Sequence, residues 1–365
     1  MSIRSKQTTE FHFERVLLYG KRKKSLPPKS CLVFKVTDMT CFNSVSQPTS
    51  CWIVQVFLVP ICVADVSDAM SRTCRTAILV TGSTDGIGLT TAKNVASRGY
   101  DVIIHGRETT RLDQARKAVH AYAVQHSSDP GRLFPLPPAD FSSIRECHGF
   151  AHDVRNLCKE KDLQLCVLMN NAGVYSEKHI ITEDGLEQTF AVNVVAPFIV
   201  TSLLLPTLLQ QKSRIVIASS ISQCGKIRSW KDLHYQNRSY SADASYSESK
   251  LLDAMLSMEM ADRLQKAGFG TNQITCNCLD PGTVNTKMLL AGWGACGIHV
   301  EDALDQTWLC TSEEVENETG KYFVYQKDRS AQSSAYDQNE RNKMWALLSE
   351  LAPEAAAMWT FDWYK

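Results

Sequence analysis

Val80-Thr81-Gly82-Ser83-Thr84-Asp85-Gly86-Ile87-Gly88 is the stretch on which the reading of the chain turns. It follows a short apolar run, Ala77-Ile78-Leu79, and enters a segment over 88–98 that reads as a helix. Gly82 lets the chain turn off a strand. Gly86 leaves the backbone open to a pyrophosphate, and Gly88 lets the following helix pack closely. A helix N-terminus placed there offers free N–H groups and a partial positive charge to phosphate. The order is G-x-x-x-G-x-G rather than the common G-x-G-x-x-G. The strand before it and the helix after it make it a strong candidate dinucleotide loop. Gly82, Ser83, Thr84, Gly86, Ile87 and Gly88 are its candidate contacts.

Outward from this loop, short apolar runs alternate with longer segments. The runs at 77–80, 101–105, 133–136, 165–169, 214–218, 273–279 and 321–325 read as strands. Helices are expected over 88–98, 109–125, 186–211 and 246–266, with a last one over 341–351. Strands apolar on both faces and separated by helices imply a parallel sheet covered on both sides, a doubly wound α/β fold. Ligands of such a fold sit at the carboxyl ends of the strands. The second expected strand ends in Ile104-His105-Gly106-Arg107, without an acid, and Glu108 is read as pointing away. An acid there would bind the ribose 2′-hydroxyl of NAD, whereas an arginine suits the 2′-phosphate of NADP. Arg107 therefore predicts NADP(H), with NAD the less favoured cofactor.

Residues 1–69 differ from the rest. They carry Lys21-Arg22-Lys23-Lys24, prolines and serines without clear periodicity, and an apolar stretch over 52–64 shorter than the ~20 residues of a membrane helix. Three readings stand for them: an organelle-targeting segment, a tail, or a segment ahead of a start at Met70. The domain division is an extension over 1–69, a cofactor-binding domain over 70–335, and a C-terminal helix with an aromatic tail over 336–365. No transmembrane span is expected. The location is cytoplasmic, or an organelle if the extension is a transit peptide. The 365 residues balance 39 basic against 39 acidic side chains, which gives no basic face for nucleic acid. The thirteen cysteines have no repeating spacing, and Cys276 and Cys278 are too close for a zinc half-site, so no metal is expected.

Tyr246-Ser247-Glu248-Ser249-Lys250 places a phenol and an ammonium on one helix face. A cation there pulls a phenol toward a useful pKa. The pair alone is a common pattern. Together with the glycine loop, Met169-Asn170-Asn171-Ala172-Gly173, Asn193, Ile215-Val216-Ile217-Ala218-Ser219-Ser220 and Asp280-Pro281-Gly282-Thr283-Val284-Asn285-Thr286, it resembles the short-chain dehydrogenase/reductase family. The resemblance covers about 74–330 and implies a Rossmann fold and hydride chemistry on carbonyl or alcohol groups. It implies Tyr246 as general acid, Lys250 as the residue lowering its pKa, and Ser220 as the group binding the substrate oxygen. Ser219 and Ser222 stand as alternatives to Ser220. Asn193 would hold a water in a proton relay. Asn171, Ala172 and Gly173 would line the adenosine-ribose side, Asp140 and Phe141 the adenine, and Pro281, Gly282, Val284 and Thr286 the nicotinamide end. The excess length around Ser229-Trp230-Lys231-Asp232-Leu233-His234-Tyr235 is similar to the retinol-dehydrogenase-like and WW-domain-containing-oxidoreductase-like branch. A homo-oligomer is compatible with the family.

The stretch 287–298 is apolar and carries three glycines and Trp293. It reads either as a lid over a small lipophilic substrate or as a helix packed on the core. Trp359, Phe361, Trp363 and Tyr364 would cap the site, pack on the core or meet a second subunit. The functional expectation is an NADP(H)-dependent oxidoreductase of small lipophilic carbonyls or alcohols. The alternative is a catalytically silent NADPH-binding regulatory or scaffold protein.

Overall fold

β1 (Thr76–Val80) runs straight into the glycine loop, and its residues alternate between two apolar layers. Ala77 and Leu79 belong to one buried cluster, Ile78 and Val80 to the other. The computed structural model describes residues 76–364 apart from Trp293, so the readings made for 1–69, and for Met70 as a start, lie outside the described residues. The remaining strands are β2 (Asp101–Ile104), β3 (Leu133–Pro135), β4 (Gln164–Asn170), β5 (Ser213–Ala218), β6 (Ile274–Asp280), β7 (Tyr322–Val324) and β8 (Lys327–Arg329). They form one sheet in the order β3-β2-β1-β4-β5-β6-β7-β8, parallel except for the β7–β8 hairpin. The doubly wound expectation therefore holds, with β8 added at the edge. The direction of winding reverses between β1 and β4, and a ligand crevice opens at such a switch point.

Three helices cover one face: α1 (Gly86–Ser97), α2 (Thr109–His126) and α7 (Asp305–Thr311). The opposite face carries α3 (Ile144–Lys161), α4 (Gln188–Leu208) and α5 (Ala242–Lys266). The same layer includes α8 (Gln338–Leu351) and α9 (Pro353–Ala357). α3 adds to the helices expected from the sequence, and Cys147, Phe150, Ala151, Val154 and Cys158 put a buried stripe at helical spacing along it. α4 is apolar and long enough to cross a membrane. However, 89% of its most apolar window is buried inside the fold, so here it acts as a core helix. α6 (Lys287–Gly292) is short and none of its residues is buried. That removes the core-packed reading of this stretch. Trp293 lies outside the described residues.

The aromatic tail packs on the core. Trp345 meets Phe198 edge-on at 5.2 Å between centroids and Trp359 at 5.2 Å. The Trp359 indole N–H donates to Ser202 Oγ at 2.7 Å, and Phe361 rests on Phe269.

Candidate active site

A cleft of about 260 Å³ runs along the carboxyl ends of β1, β2, β4 and β5. Its floor is the glycine loop. Gly86 has φ +54°, a conformation that side chains rarely adopt, and a Cβ on Gly88 would meet the Gly82 carbonyl oxygen. Asn171 fastens the loop to β4: its Nδ2 donates to the Thr81 and Gly82 carbonyls at 2.8 and 3.2 Å. Thr81 Oγ1 in turn accepts from the Asn171 and Ala172 amides. Gln306, on α7, donates to Asn171 Oδ1 at 3.0 Å and accepts from Thr91 of α1. No sequence motif marked Gln306, which lines the same cleft.

Of the candidate cofactor contacts, Gly82, Thr84, Gly86, Ile87, Gly88, Arg107, Asp140, Phe141, Asn171, Ala172, Gly173, Tyr246, Lys250, Pro281 and Thr286 line the cleft. Ser83 does not. It is fully buried, its amide donates to the His105 carbonyl, and its Oγ accepts from the His105 amide at 3.0 Å. Its polar groups are used to join the loop to β2. Gly282 donates its N–H to Asp280 Oδ2, and Val284 is buried and bridged to Ile298, so neither lines the cleft. Glu108, read as pointing away, lies at the rim beside Arg107 and Arg111.

At that rim Asp85 pairs with Arg111 of α2 at 3.0 Å and with Lys287 of α6 at 2.6 Å. His105 closes the inner wall. Its Nδ1 accepts from the Gly82 amide at 3.0 Å, which leaves Nε2 to donate to the Ala139 carbonyl at 3.0 Å. The ring stacks on Phe141 with centroids 4.0 Å apart. Burial pushes its pKa down to about 4, so this imidazole is neutral near pH 7.

The reacting end is built on α5. Tyr246 and Lys250 share a face, with Lys250 Nζ 5.5 Å from the phenol ring centroid. Ser220, in the loop after β5, hydrogen-bonds the Tyr246 side chain. Ser219 lines the cleft, but its Oγ donates to the Lys250 carbonyl at 2.7 Å, and Ser222 is exposed. Ser220 is not among the residues that line the cleft, but of the three serines it is the one bonded to the tyrosine. Burial raises the Tyr246 pKa, and Lys250 and Ser220 offset only part of that rise. The lowering expected from Lys250 is present but outweighed.

Asn193 lies outside the cleft lining, in a π-helical turn of α4 over Ala191–Val195. Its side chain is occupied: Oδ1 accepts from the Val174 amide at 2.8 Å, and Nδ2 donates to the Val174 carbonyl and to Ser249 Oγ. Four residues on stands Pro197, which has no N–H to give the Asn193 carbonyl its usual helical partner.

The insert after β5 is fixed to α5. Arg238 donates through both terminal nitrogens to the buried Glu248, at 3.0 and 2.7 Å, and covers the Tyr235 ring at 3.8 Å. On the other side of the mouth, Tyr175 meets the Tyr246 ring edge-on at 5.7 Å and donates to Asp243. A Cβ on Gly292 of α6 would touch the Tyr175 ring.

A glycine loop at the switch point that leads to a tyrosine and a lysine around one cavity, with a serine bonded to the tyrosine, defines a dinucleotide-dependent oxidoreductase. Residues 76–291 match the short chain dehydrogenase family, and the chain belongs to that family, in its retinol-dehydrogenase-like branch. It is 30% identical to human (Homo sapiens) retinol dehydrogenase 13 over 295 residues, 75% of this chain and 83% of that protein. It is 30% identical to mouse (Mus musculus) polyprenol dehydrogenase over 285 residues, 73% of this chain and 81% of that protein. Among solved structures, the Pseudomonas aeruginosa RhlG/NADP active-site complex superposes with a TM-score of 0.52 at 22% identity. That match covers 69% of this chain and 94% of the other, a likeness of fold. Family membership makes the chain an oxidoreductase that uses a nicotinamide cofactor.

Proposed function

We propose that this chain is an NADP(H)-dependent dehydrogenase/reductase of small lipophilic alcohols or carbonyls. The observation that carries the reading is a single cleft with Tyr246, bonded to Ser220, and Lys250 at one end and Arg107 and Arg111 at the other. The residues suit a dinucleotide. The α1 N-terminus opens on the cleft, Gly86 leaves backbone room for a pyrophosphate, and the neutral His105 and Phe141 give an apolar wall for a base. Arg107 would meet a 2′-phosphate, with Arg111 and Lys287 released from Asp85 to assist. Glu108 at the rim works against this preference, and the cations outnumber it there.

The nicotinamide, when bound, supplies or accepts the hydride. The chain does the rest. Tyr246 Oη transfers a proton to the developing alkoxide of a carbonyl substrate. Ser220 Oγ holds that oxygen beside the phenol. Lys250 stabilises the phenolate left behind. Asn193 offers its backbone carbonyl, freed by Pro197, to a water that returns the proton. Tyr175, Met288 and the exposed α6 give the mouth an apolar rim. The relatives named for retinol and polyprenol act on lipophilic alcohols by their names, which agrees with such a rim.

The test is oxidation of NADPH and NADH by the full chain against aliphatic aldehydes, retinal-like and quinone-like carbonyls, with Tyr246→Phe alongside. Turnover should fall at least about 100-fold in the variant. NADPH should bind at least about tenfold more tightly than NADH, as the loss of one charge-assisted contact implies. Tight NADPH binding without turnover in either direction would favour the silent regulatory protein. Tenfold tighter NADH would overturn the cofactor assignment.

A further inference from the structure

Lys250 is held from behind. Its Nζ donates to Asp253 Oδ2 at 2.8 Å and to the Ala218 carbonyl at 2.9 Å. An ammonium has three N–H groups, so one is left for the cleft. Asp253 is completely buried on α5, and its Oδ1 has no hydrogen-bond partner among the described residues. It caps no helix end, and a buried carboxylate costs stability unless it is paired. The cation that offsets it is Lys250.

We propose that Asp253 is a positioning residue for the tyrosine–lysine pair: it anchors the Lys250 ammonium from the interior and offsets part of the positive charge that Lys250 presents to Tyr246. This rests on the reading of Tyr246 and Lys250 given above. The facing groups are few. Asp280, Cys278 and Cys276 lie on β6, Tyr246 and Lys250 on α5, and Tyr175 stands edge-on beyond Tyr246. Burial holds both thiols well above the usual cysteine range, so they stay neutral. The charges acting on the phenol are therefore Lys250, which favours phenolate, and Asp253 and Asp280, which oppose it. Burial pushes the Asp253 carboxyl up to about 7, against the pull of Lys250. Ionised, it keeps Tyr246 protonated. Protonated, it leaves Lys250 uncompensated and makes the phenol more acidic. Lys250 itself stays charged: burial opposes its charge, but Asp253, Tyr246 and Asp280 outweigh that and raise its pKa.

The experiment is a titration of the full chain labelled with 13Cζ-tyrosine and bound to NADP+, with Tyr246→Phe identifying the resonance. Asp253→Asn retains an acceptor for Lys250 and removes the charge. Its Tyr246 phenol should titrate about one pH unit lower than in the unsubstituted chain. The acid limb of alcohol oxidation should move down by the same amount. A midpoint that is unchanged or higher overturns the proposal, even if the variant loses stability. Should Asp253→Asn not fold, Asp253→Ser gives the same comparison. A chain that turns over no substrate would defeat the proposed function and leave the phenol comparison readable. An active enzyme whose phenol does not move would defeat only the role of Asp253.

Discussion

His105 shows how one side chain joins the parts of the cofactor cleft. It ties the first glycine of the loop to β2 and to the Ala139 carbonyl, and the bond its Nδ1 accepts from Gly82 requires the neutral ring. Burial is the main cause of its lowered pKa, and Arg107 adds to it. The folded-state value is about 4 against an ordinary 6.5, so the unfolded chain takes up the proton first as pH falls. Stability is unaffected above about pH 6.5 and is lost progressively toward pH 4, by about 3 kcal/mol for a shift of this size. Urea unfolding at pH 7 and pH 4.5 should show this loss, and His105→Gln should reduce it. Equal slopes in the two proteins would mean that His105 does not control the acid limb. Read locally, His105-Gly106-Arg107 conveys only a missing acid and an arginine. The histidine's role depends on a glycine 23 positions earlier and a carbonyl 34 positions later, contacts that no local pattern carries. Ser83 departs from its expected role for the same reason: its neighbours in the loop face the cleft, while its own hydrogen bonds turn to β2.

Elements were more legible than residues, because period and length reach the sequence directly. The seven parallel strands were visible as apolar runs. α5 was visible through its tyrosine–lysine face, although it begins at Ala242, four residues before Tyr246, capped by Ser241. The π turn in α4 was not visible as such, yet its cause lies in the sequence. Pro197 cannot close the bond to Asn193, and a widened turn accommodates the break. Replacing Pro197 by alanine restores an N–H four residues after Asn193. The turn should then tighten toward α-helix and its new donor should occupy the Asn193 carbonyl. If that carbonyl holds the relay water, kcat should fall about tenfold, roughly 1.4 kcal/mol of barrier, with little change in the Kd of NADPH. Melting temperature should hold or rise, since an interior helix proline is unfavourable. A variant with unchanged kcat would remove the carbonyl from the relay.

At the scale of the molecule, the site depends on layers it does not touch. α4 carries Asn193 and α5 carries Tyr246, Lys250 and Asp253, and the C-terminal helices cover both. Arg341 of α8 pairs with Glu259 and Asp262 of α5, and Arg263 of α5 lies over the Trp345 ring at 3.9 Å. Trp359 lies at the centre of this layer, 6% exposed, in contact with Trp345 and Phe361 and bonded to Ser202 on α4. Truncating it opens a cavity and leaves Ser202 with only its bond to the Phe198 carbonyl. Trp359→Ala should cost about 3–5 kcal/mol, enough to lower the melting temperature by roughly 10 °C in a domain of this size. Well below that temperature, the Kd for NADPH should stay within about twofold, because none of the tail's described residues lines the cleft. Calorimetry and cofactor binding on the same preparation separate the two quantities. A tail that instead capped the substrate would give the reverse pattern, with substrate KM raised and melting temperature nearly unchanged, and that outcome would return the aromatic end to the active site.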